Sequence, residues 1–136
     1  MNASREPKCA ALAVGVDLVE IRRVAALAER YGERFKGRVF TQAERTDCGD
    51  RPESLAARWA AKEAVAKALG TGISGGMTFR EIEVVRDADG RPGIRLYDRA
   101  RRGAEDRGVG RIHVSLTHTL GRAAAVVILE TGEGSG

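Results

Sequence analysis

The spacing of hydrophobic residues changes along the chain, and these changes predict where strands and helices alternate. A continuous apolar run, CAALAVGVDLV at residues 9–19, predicts a buried strand that reaches its end near Asp17. From Ile21 to Tyr31, apolar residues recur every three or four positions, with charged residues mostly outside that stripe. This second segment is therefore predicted to form an amphipathic helix.

Local end signals place the next two helices. TQAE, residues 41–44, has the form of a capping box, in which a threonine and a glutamate satisfy the first free amides of a helix. Pro52 suits the first turn of a further helix, because the amide hydrogen that it lacks has no partner there. Gly70 is the residue type that most often follows a helix end. The alanine-rich segment between Pro52 and Gly70 is thus predicted to be one long helix.

The second half of the chain is dominated by strand patterns. EIEVVRD and IRLYD flank a turn signal at Asp89-Gly90, which predicts two neighbouring strands. RARRGAEDRGVG predicts a short polar helix, and RIHVSLTH and RAAAVVILE predict two final strands, the last of them buried. This order of elements indicates an α+β fold rather than alternating βαβ units. The length of 136 residues predicts a single domain, residues 1–136, with loose tails at 1–9 and 131–136.

Composition and charge narrow the class of partner and the compartment. The formal net charge is +4, which favours acidic partners. No apolar run approaches the ~18 residues of a membrane span, and the N-terminus lacks the pattern of a secretory signal. Cys9 and Cys48 fit unpaired thiols in a reducing cytoplasm, and a single disulfide between them stays open. We expect a cytoplasmic protein without a membrane partner.

The long predicted helix carries the first candidate site. At about 100° per residue, Lys62 falls inside the apolar stripe that contains Trp59, and Glu63 and Lys67 lie one turn apart on its flank. One interpretation is a surface pair of Glu63 and Lys67 worth about 0.2–0.5 kcal/mol. The other is a carboxylate that loses hydration beside apolar residues and needs a cation or a metal. Both interpretations stay open at this point.

Asp17 is the second candidate, because it lies at the predicted end of a buried strand. It could be an ordinary N-cap of the following helix. If the fold brings it to Glu63, the two carboxylates would repel each other unless a cation lay between them. Mg²⁺ suits such a place, since it takes oxygen ligands and is completed by water and substrate phosphates.

Two further segments give weaker signals. GTGISGG, residues 70–76, lacks the P-loop pattern and is either a helix end with a connection or a close approach of backbone to a ligand. In HVSLTHT, His113 and His118 do not match a zinc site. Ser115 is not surrounded by the pattern of a serine hydrolase. His118 and Thr119 follow the predicted strand, where side chains often contact ligands.

Taken together and in order, GVDLVEIRRV, FTQAE, RWAAKEAVAKALGTGI and HVSLTHT before AAAVVILE resemble the holo-acyl-carrier-protein synthases. These are the small, single-domain class of 4′-phosphopantetheinyl transferases, and the resemblance covers about residues 14–130. It implies a mostly antiparallel sheet packed on a long central helix. It also implies transfer of 4′-phosphopantetheine from coenzyme A to a serine of an apo acyl carrier protein, with adenosine 3′,5′-bisphosphate as the other product.

The resemblance implies roles for individual residues. Asp17 and Glu63 would bind Mg²⁺ at the coenzyme A pyrophosphate and, with Lys67, would be the catalytic residues. Whether Glu63 or a metal-bound water takes the serine proton stays open. Glu44 matches the family pattern, but it is expected only to support the metal ligands from outside and not to bind Mg²⁺ itself. The implied coenzyme A contacts are Arg58, Lys62, Lys67, Gly70, Thr71, Gly72, His118 and Thr119.

The resemblance also implies partners. The acidic carrier protein would dock on Arg23, Arg34 and Arg38, and the family's usual homotrimer would bind coenzyme A between subunits. A small basic nucleic-acid-binding domain is the rival class, but the arginines are spread along the chain and no recognition signature is present. We therefore expect no nucleic-acid partner. A degenerate member that binds coenzyme A without transfer is a third hypothesis, against which the intact Asp17, Glu63 and Lys67 argue.

Overall fold

The computed structural model of the protein describes residues 11–70 and 77–132. A short 3₁₀ turn at Phe79–Glu81 precedes the first strand of the second half. The prediction of an α+β fold is confirmed. In chain order, the elements are β1 (Ala11–Glu20), α1 (Ile21–Tyr31), α2 (Glu33–Val39), α3 (Gln42–Cys48), α4 (Pro52–Leu69), β2 (Ile82–Arg86), β3 (Pro92–Leu96), α5 (Asp98–Asp106), β4 (Val109–His118) and β5 (Arg122–Thr131).

The strands form two antiparallel sheets. The larger sheet has the order β1-β5-β4, so the central strand is the last in the chain, and the smaller sheet is the hairpin of β2 and β3. In the larger sheet Asp17 pairs with Ala125, and His118 pairs with Ala123. The register therefore places Asp17 and His118 on the two outer strands, near the same end of the sheet.

Helix α4 is the centre of the core. It packs on β1 and β5 of the larger sheet, on β2 of the smaller one and on α1. The predicted single apolar stripe is therefore incomplete, because residues on most sides of α4 are buried. Many of them are alanines, whose small side chains let the helix lie close to its neighbours. The closest approach is at Gly15, where an added Cβ would lie 1.9 Å from the carbonyl oxygen of Ala64.

The predicted helix ends are confirmed. The Thr41 hydroxyl accepts a hydrogen bond from the Glu44 amide at 3.2 Å, and the Glu44 carboxylate accepts one from the Thr41 amide at 2.9 Å. Pro52 is the first residue of α4, and Gly70 closes the helix in the left-handed conformation with φ of 77°. These signals succeed because each depends only on residues within a few positions of one another.

Four details differ from the sequence prediction. Asp17 is not an N-cap, because β1 continues to Glu20 and that residue takes the N-cap position of α1. Helix α2 was not predicted, since its seven residues are too short to give a clear periodic signal. His118 is the last residue of β4, as in the predicted segment RIHVSLTH, and therefore does not lie beyond the strand end as its expected ligand contact assumed. Thr131 is not part of a loose tail, because it pairs in β5 and its hydroxyl donates to the Ala11 carbonyl at 3.1 Å.

The strand β1 is buried on one face only, which corrects the prediction of a fully buried strand. Gly15 and Val19 face the core, whereas four apolar side chains on the opposite face are 53–62% exposed. They form the β1 outer row, defined as Leu12, Val14, Val16 and Leu18. The expected tails at 1–9 and 133–136 lie outside the described residues. Within the described part of the chain, no helix is both long and apolar enough to cross a membrane.

The contact between Gly15 and α4 gives a stability prediction. In Gly15→Ala the new methyl group would meet the Ala64 carbonyl oxygen at 1.9 Å and its carbon at 2.8 Å. Because both are backbone atoms of a central helix, we expect a loss of at least about 3 kcal/mol in the free energy of unfolding. Urea denaturation followed by circular dichroism measures this loss.

Gly37→Ala is the matched control. Gly37 lies within α2, and nothing lies within 4 Å of its added Cβ. This variant should be as stable as the parent or more stable by about 0.5–1 kcal/mol, because alanine favours helix. Equal urea midpoints for the two variants would show that α4 can move away from β1 at little cost.

Candidate active site

Asp17 and Lys67, far apart in sequence, form a hydrogen-bonded ion pair at the edge of the larger sheet. The Lys67 ammonium donates to the Asp17 carboxylate at 2.8 Å and to the Val16 carbonyl at 3.1 Å. The Asp17 side chain is 17% exposed and that of Lys67 is 55% exposed, so the pair borders solvent. The hydrogen bond to Asp17 is the main reason that the pKa of Lys67 is raised. The ammonium is therefore held charged and accessible to an anionic ligand.

Glu63 lies one turn before Lys67 on α4 and is half-buried. Burial is the largest cause that raises its pKa, and the Asp17 carboxylate raises it further. Lys67 and Arg23 act in the opposite direction and lower it. The fold thus brings two carboxylates close enough to repel each other, as the sequence reasoning required for a cation site.

The donor set fits Mg²⁺. Carboxylate oxygens are the ligands this ion prefers, and it commonly takes only one or two of them from a protein. Among the described residues, no group of three or more His, Cys, Asp or Glu side chains could hold a metal. A cation at Asp17 and Glu63 would therefore need water and substrate oxygens to complete its ligands. This is the mode typical of Mg²⁺ bound with a phosphorylated substrate.

A separate basic pocket lies at the end of β4, on the opposite edge of the larger sheet from β1. Arg58, only 2% exposed, is ion-paired with Asp47, whose carboxylate also accepts from Arg86 at 3.0 Å. The Nε of Arg58 is buried and has no hydrogen-bond partner among the described residues. Arg58, Arg86 and His118 line a cavity of about 180 Å³ together with Ser54. Two guanidinium groups face one carboxylate here, which leaves the pocket positive and suited to an anion.

The remaining predicted coenzyme A contacts are dispersed. Thr119 lines a different cleft, of about 530 Å³, with Arg22 and Arg122. Gly70 is exposed at the end of α4. Thr71 and Gly72 lie outside the described residues. Neither the cavity of Arg58 nor the cleft of Thr119 is lined by Asp17, Glu63 or Lys67. Among the described residues, the predicted contacts therefore line two different cavities rather than one.

The predicted contact of Lys62 with coenzyme A does not fit the structure. Its side chain is fully buried, and its ammonium donates to the Glu44 carboxylate at 2.7 Å and to the Phe79 carbonyl at 3.0 Å. A third hydrogen bond goes to the Ile82 carbonyl. An ammonium has three hydrogens, so none is left for a ligand. The sequence placed Lys62 correctly inside the apolar stripe, but a buried lysine with a buried acid is a structural pair.

An apolar groove accompanies the predicted docking arginines. Its walls include Arg34 and Arg38 of α2, and Phe35, Trp59 and Phe79 contribute the aromatic part of its lining; its volume is about 380 Å³. Adjacent rings contact each other edge to face, with centroids of Phe35 and Trp59 5.4 Å apart and those of Trp59 and Phe79 6.0 Å apart. The sequence predicted the arginines but not this apolar groove, which is called the docking groove below after its predicted role. Phe35 and Phe79 lie in segments without a periodic signal.

Arg23 connects the docking groove with the carboxylate site. Its guanidinium lies over the Trp59 ring, 5.2 Å from the centroid. The same charge acts on Glu63, whose pKa it lowers. The three predicted docking arginines are thus arranged around one apolar surface beside the candidate metal ligands.

Comparison with known proteins identifies the class. The family model of the 4′-phosphopantetheinyl transferase superfamily matches residues 13–125. The chain belongs to this superfamily, as its resemblance predicted.

Individual relatives narrow the class further. A holo-[acyl-carrier-protein] synthase of Herpetosiphon aurantiacus is 46% identical over 123 residues, covering 86% of this chain and 97% of the relative. One of Chloroflexus aurantiacus is 49% identical over 133 residues, covering 87% and 97%. A crystal structure of the synthase from Helicobacter pylori in complex with coenzyme A superposes with a TM-score of 0.79 at 29% identity, covering 85% of this chain and 98% of that one.

Proposed function

We propose that this protein is a holo-[acyl-carrier-protein] synthase, which moves 4′-phosphopantetheine from coenzyme A to a serine hydroxyl of an apo acyl carrier protein. Adenosine 3′,5′-bisphosphate is the second product. The observation that carries the proposal is the cluster of Asp17, Glu63 and Lys67 in a chain of this family. The same cluster argues against a degenerate member, because it keeps both candidate metal ligands and the neighbouring cation.

Asp17 and Glu63 would hold Mg²⁺, and when bound this ion would supply positive charge beside the pyrophosphate of coenzyme A. Lys67 would donate to a phosphate oxygen, since its ammonium is exposed and already fixed by Asp17 and the Val16 carbonyl. A charge fixed in this way stabilises the transition state without further reorganisation. The chain thus supplies two carboxylates for the cation and one ammonium for the leaving group.

The basic pocket of Arg58, Arg86 and His118 would bind the phosphorylated nucleotide end of coenzyme A. The support is chemical, because the guanidinium groups of Arg58 and Arg86 line this pocket and favour a phosphate. The solved synthase of Helicobacter pylori is a complex with coenzyme A. The coenzyme would bridge this pocket and the carboxylate cluster.

We also propose that the active unit is a homotrimer with its sites between subunits. Two observations support a second copy of the chain. The β1 outer row exposes four apolar side chains in line, together with the 40% exposed Val126 of β5. Among the described residues, the cavity of the basic pocket is not lined by any member of the carboxylate cluster. Assembly would cover the β1 outer row. It would also place the carboxylate cluster of one protomer beside the basic pocket of a neighbour.

The carrier protein would dock on the groove bounded by Arg34 and Arg38. An acidic helix carrying an apolar side chain suits this surface, because the groove is aromatic inside and positive at its rim. We place the reaction in the cytoplasm, which fits the free, buried thiol of Cys48. Burial raises the pKa of that thiol to about 11, so it is not a nucleophile here. Priming of carriers for fatty acid synthesis is the expected pathway.

Arg23→Glu should raise the KM for carrier protein about tenfold and change the affinity for coenzyme A little. Arg23 is exposed and lies over Trp59 at the groove, so reversal of its charge repels an acidic partner at the docking surface. Steady-state kinetics at two salt concentrations measures the effect, which should shrink as salt screens it. Arg102→Glu, on the exposed side of α5, is the control. An unchanged KM in Arg23→Glu would locate docking elsewhere.

The proposed activity is tested by intact-mass spectrometry of an apo acyl carrier protein incubated with this protein, coenzyme A and Mg²⁺. We expect a gain of one phosphopantetheine, which EDTA prevents and added Mg²⁺ restores. No gain with several carriers, although coenzyme A still binds, would support the degenerate member. Tight binding to heparin or DNA without any to coenzyme A would favour the nucleic-acid-binding class.

A further inference from the structure

The buried ion pair of Glu44 and Lys62 joins three parts of the fold. Glu44 is 1% exposed and Lys62 is 0% exposed, and neither touches solvent or the proposed substrates. The lysine donates to Glu44 and to two carbonyls of the segment that leads into β2, those of Phe79 and Ile82. The second Glu44 oxygen accepts from the Val84 amide at 2.8 Å. One carboxylate and one ammonium thereby tie α4 to α3 and to β2.

Stability alone does not account for this pair. Burial is the largest cause acting on Lys62 and lowers its pKa, and the Glu44 carboxylate opposes that shift. A buried ion pair can often be exchanged for apolar groups of the same volume with no loss of stability. Apolar groups would not fix the orientation of α4 relative to its neighbours. Hydrogen bonds do fix it, because they are directional, whereas apolar contacts allow the helix to slide. The alanine-rich surface of α4 offers few large side chains that would interlock instead.

Lys62 lies next to the candidate site residues on α4, so the rotation of the helix about its axis affects the geometry of that site. Glu63 is the next residue, and Lys67 follows one turn later on the side that faces Asp17. A rotation of α4 by about 20° would move a group near the helix surface, about 5–6 Å from the axis, by about 2 Å. Catalytic groups need to be held within about 0.5 Å of their working geometry.

We propose that Glu44 and Lys62 are positioning residues that set the rotation of α4, and so set Glu63 against Asp17. This inference rests on the proposed function for its activity readout, but its metal-binding readout does not require transfer. On the opposite side, the backbone contact of Gly15 with Ala64 fixes how close the helix lies to β1. The ion pair of Glu44 and Lys62 supplies the remaining constraint, because it prevents rotation of α4 about its axis.

The test is the double variant Glu44→Gln with Lys62→Met. It removes both charges together, so neither is left unpaired in the core. The single oxygen of glutamine can accept from the Val84 amide, whereas the Thr41 amide, which in the parent donates to the other Glu44 oxygen, loses that acceptor. The control is Lys36→Met with Asp50→Asn, which removes an equivalent pair at the surface, 2.8 Å apart with Asp50 90% exposed.

Three measurements are made on each protein: the urea midpoint, the steady-state kinetics of transfer, and Mn²⁺ binding by EPR in the presence of coenzyme A. For the core variant we expect a cooperative unfolding transition at a somewhat lower midpoint, because buried carbonyls lose their donor, together with a kcat at least tenfold lower and Mn²⁺ binding at least fivefold weaker. The KM for carrier protein should stay within twofold. The surface control should match the parent in all three.

Each other outcome overturns the positioning role. Parent-like kcat and Mn²⁺ binding would mean that the pair does not set the site. A core variant that fails to fold would show that the pair serves stability. A fall in kcat with unchanged Mn²⁺ binding would place its effect away from Glu63 and Asp17. If the parent itself transfers nothing, the proposed function fails, and the Mn²⁺ titration still decides the positioning role.

Discussion

Glu63→Gln should lower kcat/KM by about 1,000-fold while leaving the fold intact. The exchange keeps the size of the side chain and removes one of the two negative oxygens that Mg²⁺ would share with the substrate. Loss of this metal interaction would cost about 4 kcal/mol of transition-state stabilisation, which corresponds to that factor. Because Glu63 is half-buried and repelled by Asp17, the neutral amide should not destabilise the protein. Intact-mass assays over a range of Mg²⁺ concentrations measure the loss.

The control for this prediction is Glu29→Gln, the same exchange at an exposed position of α1. It should retain parent kinetics. Asp17→Asn should resemble Glu63→Gln, and the double variant should lose little more than either single one, since both residues serve one cation. Full turnover of Glu63→Gln at high Mg²⁺ would refute the assignment of the metal ligands.

Local signals were the most reliable part of the sequence prediction. The capping box at Thr41 and Glu44, Pro52 at the start of α4 and Gly70 at its end each depend on neighbours within a few residues. The burial of α4 on most sides could not be predicted in the same way. It arises because strands from both ends of the chain pack on this helix, and a periodic pattern of one segment carries no information about that.

The candidate site was predictable in part. Asp17 and Lys67 are 50 positions apart, and only the family resemblance connected them before the fold placed them 2.8 Å apart. Lys62 was assigned to coenzyme A because it belongs to the same motif as Glu63. A shift of one residue turns a side chain by about 100° around a helix, so the two neighbours face different surroundings. The partner that explains Lys62 is Glu44, 18 positions earlier, and no sequence pattern links these two residues.

The outer face of the larger sheet shows the same limit. The apolar run at the start of the chain predicted a buried strand, but one protomer covers only alternate residues of it. The uncovered β1 outer row, Leu12, Val14, Val16 and Leu18, has no cover among the described residues. A row of this kind indicates an interface. The apolar run is thus explained in part by packing on α4, and its exposed alternate residues support the proposed trimer.

Val14→Glu should convert the proposed trimer into single protomers and reduce transfer at least 100-fold. Val14 is 57% exposed in the protomer, so a glutamate there leaves the core untouched. In an assembly it would bury three unpaired charges in an apolar interface, each of which costs several kcal/mol. Size-exclusion chromatography with light scattering gives the mass, and circular dichroism verifies the fold.

Activity should be lost when the trimer dissociates, because among the described residues of one protomer the carboxylate cluster does not line the cavity of the basic pocket. Thr46→Glu adds the same charge on exposed α3 and should keep both the mass and the activity of the parent. A Val14→Glu protein that is monomeric and fully active would place the whole site within one chain. One that keeps the mass of the parent would show that the β1 outer row is not the interface, and the proposed trimer would need another surface.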